Sequence, residues 1–289
     1  MKFVERECCP ACEGTRSRTL LELSFGEGPL GDFVHEFYRR EPLDGTYRLD
    51  ECLDCGLIFQ RFIADDELMA RLYTDYARPA EDVPLALHAA DTHELQSLAA
   101  FLGKSRLKIL DYGTGWGSWP ISASKLGHDA FATELAPHRA RWVAEQGVTV
   151  ITDAEIPDHR FDVINLEQVL EHVPEPLELL RSLAPALRGV LKLSLPNSDR
   201  RHIAELARGN FRHVMAFHPY EHVNSFNRRA LAALVERVGL SEVRPSLRHL
   251  YAFRSTSPKD LARPIWRFHN PSNLYLWAVV KRRCSSRPN

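Results

Sequence analysis

The sequence predicts an α/β fold: a doubly wound, mostly parallel seven-stranded sheet preceded by a small N-terminal module. Three observations lead there. From Leu107 onward, apolar strand-like runs alternate with helical patterns, the order that builds a parallel sheet covered by helices on both faces. The first of those runs closes in a glycine-rich turn, KILDYGTGWGSWP at 108–120. Five of the six cysteines crowd into the first 55 residues, which sets that stretch apart from the rest of the chain.

Taken in order, residues 1–60 read as hairpins and turns, with GEGPLG and EPLDG as breakers. Residues 65–76 carry a helical pattern that includes Tyr73 and Tyr76, RPAEDVP at 78–84 reads as a linker, and a helix runs from about Leu85 to Leu102. The boundary of the two units falls at 82/83. Strands are expected at 107–111, 129–133, 147–151, 161–166 and 189–195, with helices at 117–126, 136–146 and 176–187 between them. A polar, His- and Arg-rich stretch covers 197–222. A helix at 227–238 follows, with Asn227 as N-cap and Gly239 at its end. SEVRPSL and NLYLWAVVKR supply two closing strands, and the tail CSSRPN is expected to be disordered.

Composition narrows the function classes. A formal net charge of −1 lacks the basic surplus of a nucleic-acid binder. Residues 1–20 show no signal-peptide core, and the longest late apolar run, LYLWAVV at 274–280, is too short to span a bilayer. The expected setting is cytoplasmic, where thiols stay reduced and clustered cysteines point to metal rather than disulfides. Cys9-x2-Cys12 and Cys52-x2-Cys55 form two knuckles separated by 39 residues, the donor set of a structural four-thiolate zinc site. Cys8 lies one residue outside that spacing and reads as a spare thiol.

Asp111 sits where ligands bind in a doubly wound sheet, at the carboxyl end of the first strand. Gly113, Gly115 and Gly117 allow a tight turn and bring backbone N–H groups close to a ligand. Glu134 ends the next strand, where a carboxylate accepts from both hydroxyls of a ribose, and Asp153 follows the third, placed for an adenine amino group. A dinucleotide loop spaces its second and third glycines three apart. Here they are two apart, and Trp116 and Trp119 crowd the place of a pyrophosphate. A phosphate-free cofactor with an amino-acid tail fits better, with Asp111 facing its ammonium group.

LDYGTGWGSWP, Glu134 and DAEIPDHRFDVINLEQVLEHVPEP together resemble the signature of class I S-adenosylmethionine-dependent methyltransferases, over about Leu107 to Leu240. The resemblance implies a Rossmann-like fold. It places Asp111, Gly113 and Gly115 around the methionine moiety, Glu134 on the ribose, Asp153 and Ala154 on adenine, and Gln168 near the sulfonium. CCPACEG, YRLDECLDCGLIFQ and LYTDYARP resemble the zinc-binding N-terminal domain of sugar C-methyltransferases, which makes Tyr73 and Tyr76 candidates to line the substrate pocket. In FHPYEHVNSF, Glu221 and His222 match that family's Glu-His pair, with His222 as base and Tyr220 beside it. His218 and His172 are expected near the substrate. The chain departs from that family in two ways: Pro219 stands where its tyrosine would, and no long C-terminal α/β domain follows the core.

The sequence therefore reads as a methyltransferase acting on a small molecule, a sugar, nucleotide sugar or natural-product intermediate methylated at oxygen or carbon, with S-adenosylmethionine and a structural zinc ion. The alternatives are a zinc-ribbon binding protein with an inactive core, and an NAD-dependent sugar-modifying enzyme. The commonest form of the latter needs a tyrosine followed four residues later by lysine, which the sequence lacks.

Overall fold

A computed structural model describes residues 3–38, 44–69, 89–212, 214–255 and 257–281. Tyr73, Tyr76, the 78–84 linker and the CSSRPN tail lie outside the described residues. Among those described, no helix is long and apolar enough to cross a membrane.

The N-terminal module contains β1 (Phe3–Glu5), β2 (Ser17–Ser24), α1 (Gly28–Tyr38), β3 (Thr46–Cys52), β4 (Ile58–Gln60) and β5 (Phe62–Ala64). α1 is a departure from the expected hairpins. Gly28 enters at φ 63° and Pro29 occupies the first turn, where its missing N–H costs nothing. Leu30, Phe33 and Val34 then recur at helical spacing and are all buried. Gly31 is needed as well, because a Cβ there would stand 3.1 Å from the Gly26 backbone.

The main sheet has the order β12-β13-β10-β9-β6-β7-β8. Its strands are β6 (Lys108–Tyr112), β7 (Asp129–Ala132), β8 (Thr149–Val150), β9 (Phe161–Glu167), β10 (Leu187–Pro196), β12 (Leu240–Val243) and β13 (Asn273–Val280). β8-β7-β6-β9-β10 pair in parallel, and β13 runs antiparallel between β10 and β12. The winding reverses between β6 and β9, so a crevice opens at the carboxyl end of β6, where Asp111 lies. Alternate residues face opposite sides, as the pleat requires. Leu110, Ile164 and Leu191 meet α5 (Pro176–Leu183) and α7 (Arg228–Arg237). Ile109, Val163 and Val190 meet α2 (Ala89–Leu102), α3 (Ser118–Lys125) and α4 (Pro137–Glu145).

Other boundaries shift for local reasons. The expected helix at 176–187 ends at Leu183, and Pro185 turns the chain into a short 3-10 segment. The polar stretch 197–222 contains α6 (Arg201–Ala207). The first closing strand stops at Val243. α8 (Leu247–Leu250) and α9 (Pro258–His269) then intervene before β13. Asn227 caps α7 as expected, accepting from Ala230 N at 2.9 Å.

The module shares a sheet with the core. β11 (Asn224–Ser225), from far along the chain, pairs antiparallel with β4 in the order β11-β4-β3-β2. Arg6 reinforces that seam from inside. Its guanidinium donates to the carbonyls of Gln60, Val223 and Pro174 and to Asn224 Oδ1.

A buried charge network ties α2 and α9 to β10. Lys192, 1% exposed, lies 3.0 Å from Glu94 and 2.9 Å from Glu167. Glu94 also meets Arg267 at 2.7 Å and accepts from Trp119 Nε1 and Tyr275 Oη. Burial alone would raise the Glu94 carboxyl, but Arg267 and Lys192 outweigh it and hold it at about 2. Glu94→Ala is expected to cost about 3–5 kcal/mol in urea denaturation, because Lys192 and Arg267 lose their shared buried acid and Lys192 keeps only the half-exposed Glu167. A loss below about 1 kcal/mol would contradict the network's role. Since the folded-state carboxyl lies below its unfolded value, this contribution is full above about pH 4.5 and disappears as pH falls toward 2.

Candidate active site

The turn after β6 is held by short, specific contacts. Asp111 is 5% exposed and accepts from Thr114 Oγ1 at 2.5 Å and Asn165 Nδ2 at 2.6 Å. Burial pushes its carboxyl up to about 7 despite those donors. Gly113, Gly115 and Gly117 all adopt left-handed φ, between 59° and 77°. Their N–H groups are not offered to a ligand, contrary to the sequence expectation. Gly113 N donates to Thr133 Oγ1, Gly115 N to Glu134 Oε2 and Gly117 N to the Thr114 carbonyl. A Cβ at Gly115 would meet nothing within 4 Å, so the loop is open on that side, and it is the left-handed φ that favours glycine there.

Glu134 follows β7 and receives Gly115 N and Ala136 N, each at 2.8 Å on a different oxygen. Those bonds fix the carboxylate while each oxygen keeps further acceptor capacity. Asp153 opens a 3-10 turn stabilised by a Thr152–Glu155 capping box. It is exposed and accepts from Tyr112 Oη at 2.8 Å, and Ala154 beside it is exposed. Gln168, just past β9, has a left-handed φ of 55° without being glycine, a strained backbone of the kind found at functional sites. Its amide lies 3.5 Å from both the Ser194 carbonyl and Asn273 Oδ1.

Leu135 was missed in the sequence. It is 91% exposed on the loop beside Glu134, an apolar side chain left in water at the rim of the crevice. A large apolar residue directly after a strand-end acid was the available signal.

The second group of expected residues gathers around the turn after β9. His172 Nδ1 donates to the Glu221 carbonyl at 2.9 Å, and its ring lies 4.7 Å from that of His222, edge to face. His222 is 5% exposed. Its carbonyl receives Gln60 Nε2, and its N–H bonds the His218 carbonyl. His218 is buried, 3.7 Å from the Glu221 carboxylate and edge-on to Phe33. Burial pushes His172 and His218 down to about 4 and raises Glu221. Tyr220 is placed differently from the expectation. Its ring stacks on Phe25 at 4.7 Å within the apolar core of the module.

The four knuckle cysteines converge. The thiols of Cys9, Cys12, Cys52 and Cys55 are buried and lie within 4.8 Å of one another, with Cys9–Cys55 at 3.6 Å and Cys12–Cys52 at 3.5 Å. Thiolates about 2.3 Å from one tetrahedral ion are separated by similar distances, so the donor set fits zinc. Each knuckle closes through a left-handed residue, Glu13 at φ 60° and Gly56 at φ 81°, and through Glu13 N→Cys9 O and Gly56 N→Cys52 O. Cys8 is half-buried and outside the group.

Residues 86–244, more than half of the chain, match the model of a family described as a methyltransferase domain. A ubiquinone biosynthesis O-methyltransferase of Xanthomonas axonopodis pv. citri (strain 306) is 30% identical over 125 residues, 39% of this chain and 52% of the relative. Its counterpart in Xanthomonas campestris pv. campestris (strain B100) is 33% identical over 125 residues, 38% of this chain and 52% of the relative. The chain thus spans about half the length of the curated relatives it matches. Among solved structures, the 1,6-didemethyltoxoflavin-N1-methyltransferase of Burkholderia thailandensis, with its namesake ligand and S-adenosylhomocysteine, is 18% identical at TM-score 0.49. That match covers 80% of this chain and 99% of the other. The magnesium protoporphyrin IX methyltransferase of Synechocystis PCC 6803 is 15% identical at TM-score 0.46, covering 75% and 96%. The chain belongs to the methyltransferase-domain family.

Proposed function

We propose that the protein methylates a small hydroxylated molecule, a sugar, nucleotide sugar or natural-product intermediate, at oxygen or carbon. The observation that carries this reading is the crevice at the reversal of winding: Asp111, Glu134 and Asp153 stand at three successive strand ends around an open glycine loop. When bound, S-adenosylmethionine supplies an activated methyl group on a sulfonium sulfur. Asp111 faces the ammonium group, Gly113 and Gly115 leave room for the amino-acid tail, and Glu134 takes the ribose hydroxyls. Asp153 and Ala154 meet the adenine edge, Leu135 covers its face, and Gln168 lies toward the sulfonium. The Xanthomonas relatives, named as O-methyltransferases, favour oxygen as the methylated atom.

Methyl transfer from a sulfonium needs alignment and a desolvated nucleophile more than elaborate chemistry. His222 removes the acceptor's proton, with Glu221 beside it and His172 and His218 lining the same side. Tyr220 acts from within the module core by anchoring the segment that carries His222. Tyr73 and Tyr76 belong to the acceptor side in this reading. The four cysteines hold one structural zinc ion, which leaves no open coordination position for a substrate.

Calorimetry tests the cofactor assignment. S-adenosylhomocysteine is expected to bind and NAD is not, and binding of NAD alone would overturn the reading. Glu134→Ala is expected to cost about 2–3 kcal/mol, roughly 30- to 160-fold in affinity, with the fold intact. Unchanged affinity removes Glu134 from the site.

The same titration has a pH signature. A ligand ammonium favours the ionised Asp111, whose carboxyl titrates near 7 in the free protein. Affinity for S-adenosylhomocysteine should therefore rise with pH, up to about tenfold per unit below 7, and level off above it. A flat profile from pH 5.5 to 8 contradicts the Asp111 contact.

For the module, metal analysis should find about one zinc per chain. Cys52→Ser should lose it and loosen residues 1–60 while the main sheet survives. Full zinc occupancy in that variant would mean the ligand set is wrong.

A further inference from the structure

Glu171 differs from the other buried acids. Asp50, Glu51, Glu94 and Asp111 all have charged or hydrogen-bonding partners. Glu171 is 2% exposed, and neither of its carboxylate oxygens has a hydrogen-bond partner among the described residues. A buried acid without a partner is costly and calls for an explanation. Its position is well determined. Asn224 N donates to the Glu171 carbonyl, and Asn224 Nδ2 donates to the carbonyls of Leu170 and Val173. A Glu171 carboxylate oxygen, a ring nitrogen of His172 and a ring nitrogen of His222 lie within 4.8 Å of one another. The His172 ring is already oriented, because its Nδ1–H is committed to the Glu221 carbonyl.

We propose that Glu171 is a positioning residue for His222, holding its imidazole and offsetting the charge it acquires when it takes the acceptor's proton. The proposal rests on the methyl-transfer reading above. In the step, the acceptor's O–H or C–H bond breaks and its electron pair joins the transferred methyl carbon. The sulfur keeps the electron pair of the S–CH3 bond, and the proton goes to one ring nitrogen of His222. The other ring N–H then donates to Glu171, the logic by which a buried carboxylate supports a catalytic histidine elsewhere. The present separation exceeds a hydrogen bond, but such contacts tighten in loaded enzymes, and one water can bridge them.

The groups facing this pair are His172 on the same turn, Glu167 at the end of β9, and His218 and Glu221 on the segment before His222. Burial raises the Glu171 carboxyl to about 8, so the acid ionises only against a cation; burial keeps His172 and His218 near 4, so neither of those rings supplies that cation, and the protonated His222 ring does.

The test is 13C-edited NMR of the histidine rings in full-length, zinc-loaded protein with S-adenosylhomocysteine, with His222 assigned through His222→Asn. In Glu171→Gln, His222 should titrate about one pH unit lower than in wild type, a tenfold change in its protonation constant, and Glu171→Asp should restore most of the difference. Identical titrations in wild type and Glu171→Gln, with equal ligand affinity and melting, overturn the proposal. So does a second metal equivalent bound by wild type and lost in Glu171→Gln, which makes Glu171 a ligand instead. Where Glu171→Gln does not fold, the wild-type curve decides: a coupled pair gives His222 two steps, and a single step counts against it. Wild type that fails to bind S-adenosylhomocysteine brings down the methyl-transfer reading instead, and the same titrations in ligand-free protein still test the pair.

Discussion

The buried guanidinium of Arg6 is the contact on which the rest of the site depends. It satisfies carbonyls from three separated places, Gln60 in the module, Pro174 after the β9 turn and Val223 beside His222, and it meets the side chain of Asn224. Asn224 in turn ties down the Leu170–Val173 turn, and Gln60 holds the His222 carbonyl. Three segments far apart in the chain thus converge on one buried knot. Each hydrogen bond is worth only about 1 kcal/mol net, but leaving any of these buried groups unpaired would cost more. The histidine cluster therefore depends on its contacts with the N-terminal module.

The cofactor side rests on a different constraint. The parallel strands fix where Asp111 and Glu134 emerge, and the left-handed glycines let the chain turn between them. Internal donors then orient both acids before any ligand arrives. Burial makes Asp111 a reluctant anion in the free protein. That is preorganisation of an electrostatic site, and it needs no contribution from the module. One chain thus joins a crevice built from the sheet to a histidine cluster built where the module meets the core.

Much of this was legible in the sequence, and the legible part is local. The glycine turn, the strand-end acids, the two cysteine knuckles and the Asn227 cap each lie within one element or one turn, where spacing carries the signal. What was hidden depends on distant partners. The GEGPLG stretch looked like a breaker, yet Pro29 starts a helix whose apolar face is covered by Phe211 and Phe217, residues that sequence spacing does not connect to it. The FHPYEHVNSF segment read as one functional block, but its backbone turns so that Tyr220, at φ 67°, stacks in the module core while His222 faces His172. Glu171 was only part of an EHV motif until Asn224 brought His222 beside it. The glycine loop was read for its N–H groups, whereas the structure uses those groups internally and offers space instead.

The most direct test of the account is a crystal structure of the zinc-loaded protein with S-adenosylhomocysteine. The account predicts the ribose hydroxyls on the Glu134 carboxylate, the ammonium on Asp111, and the sulfur turned toward the side of the crevice where His172 and His222 lie. A ligand seated elsewhere, or bound at the loop with its sulfur turned away from those histidines, would contradict it.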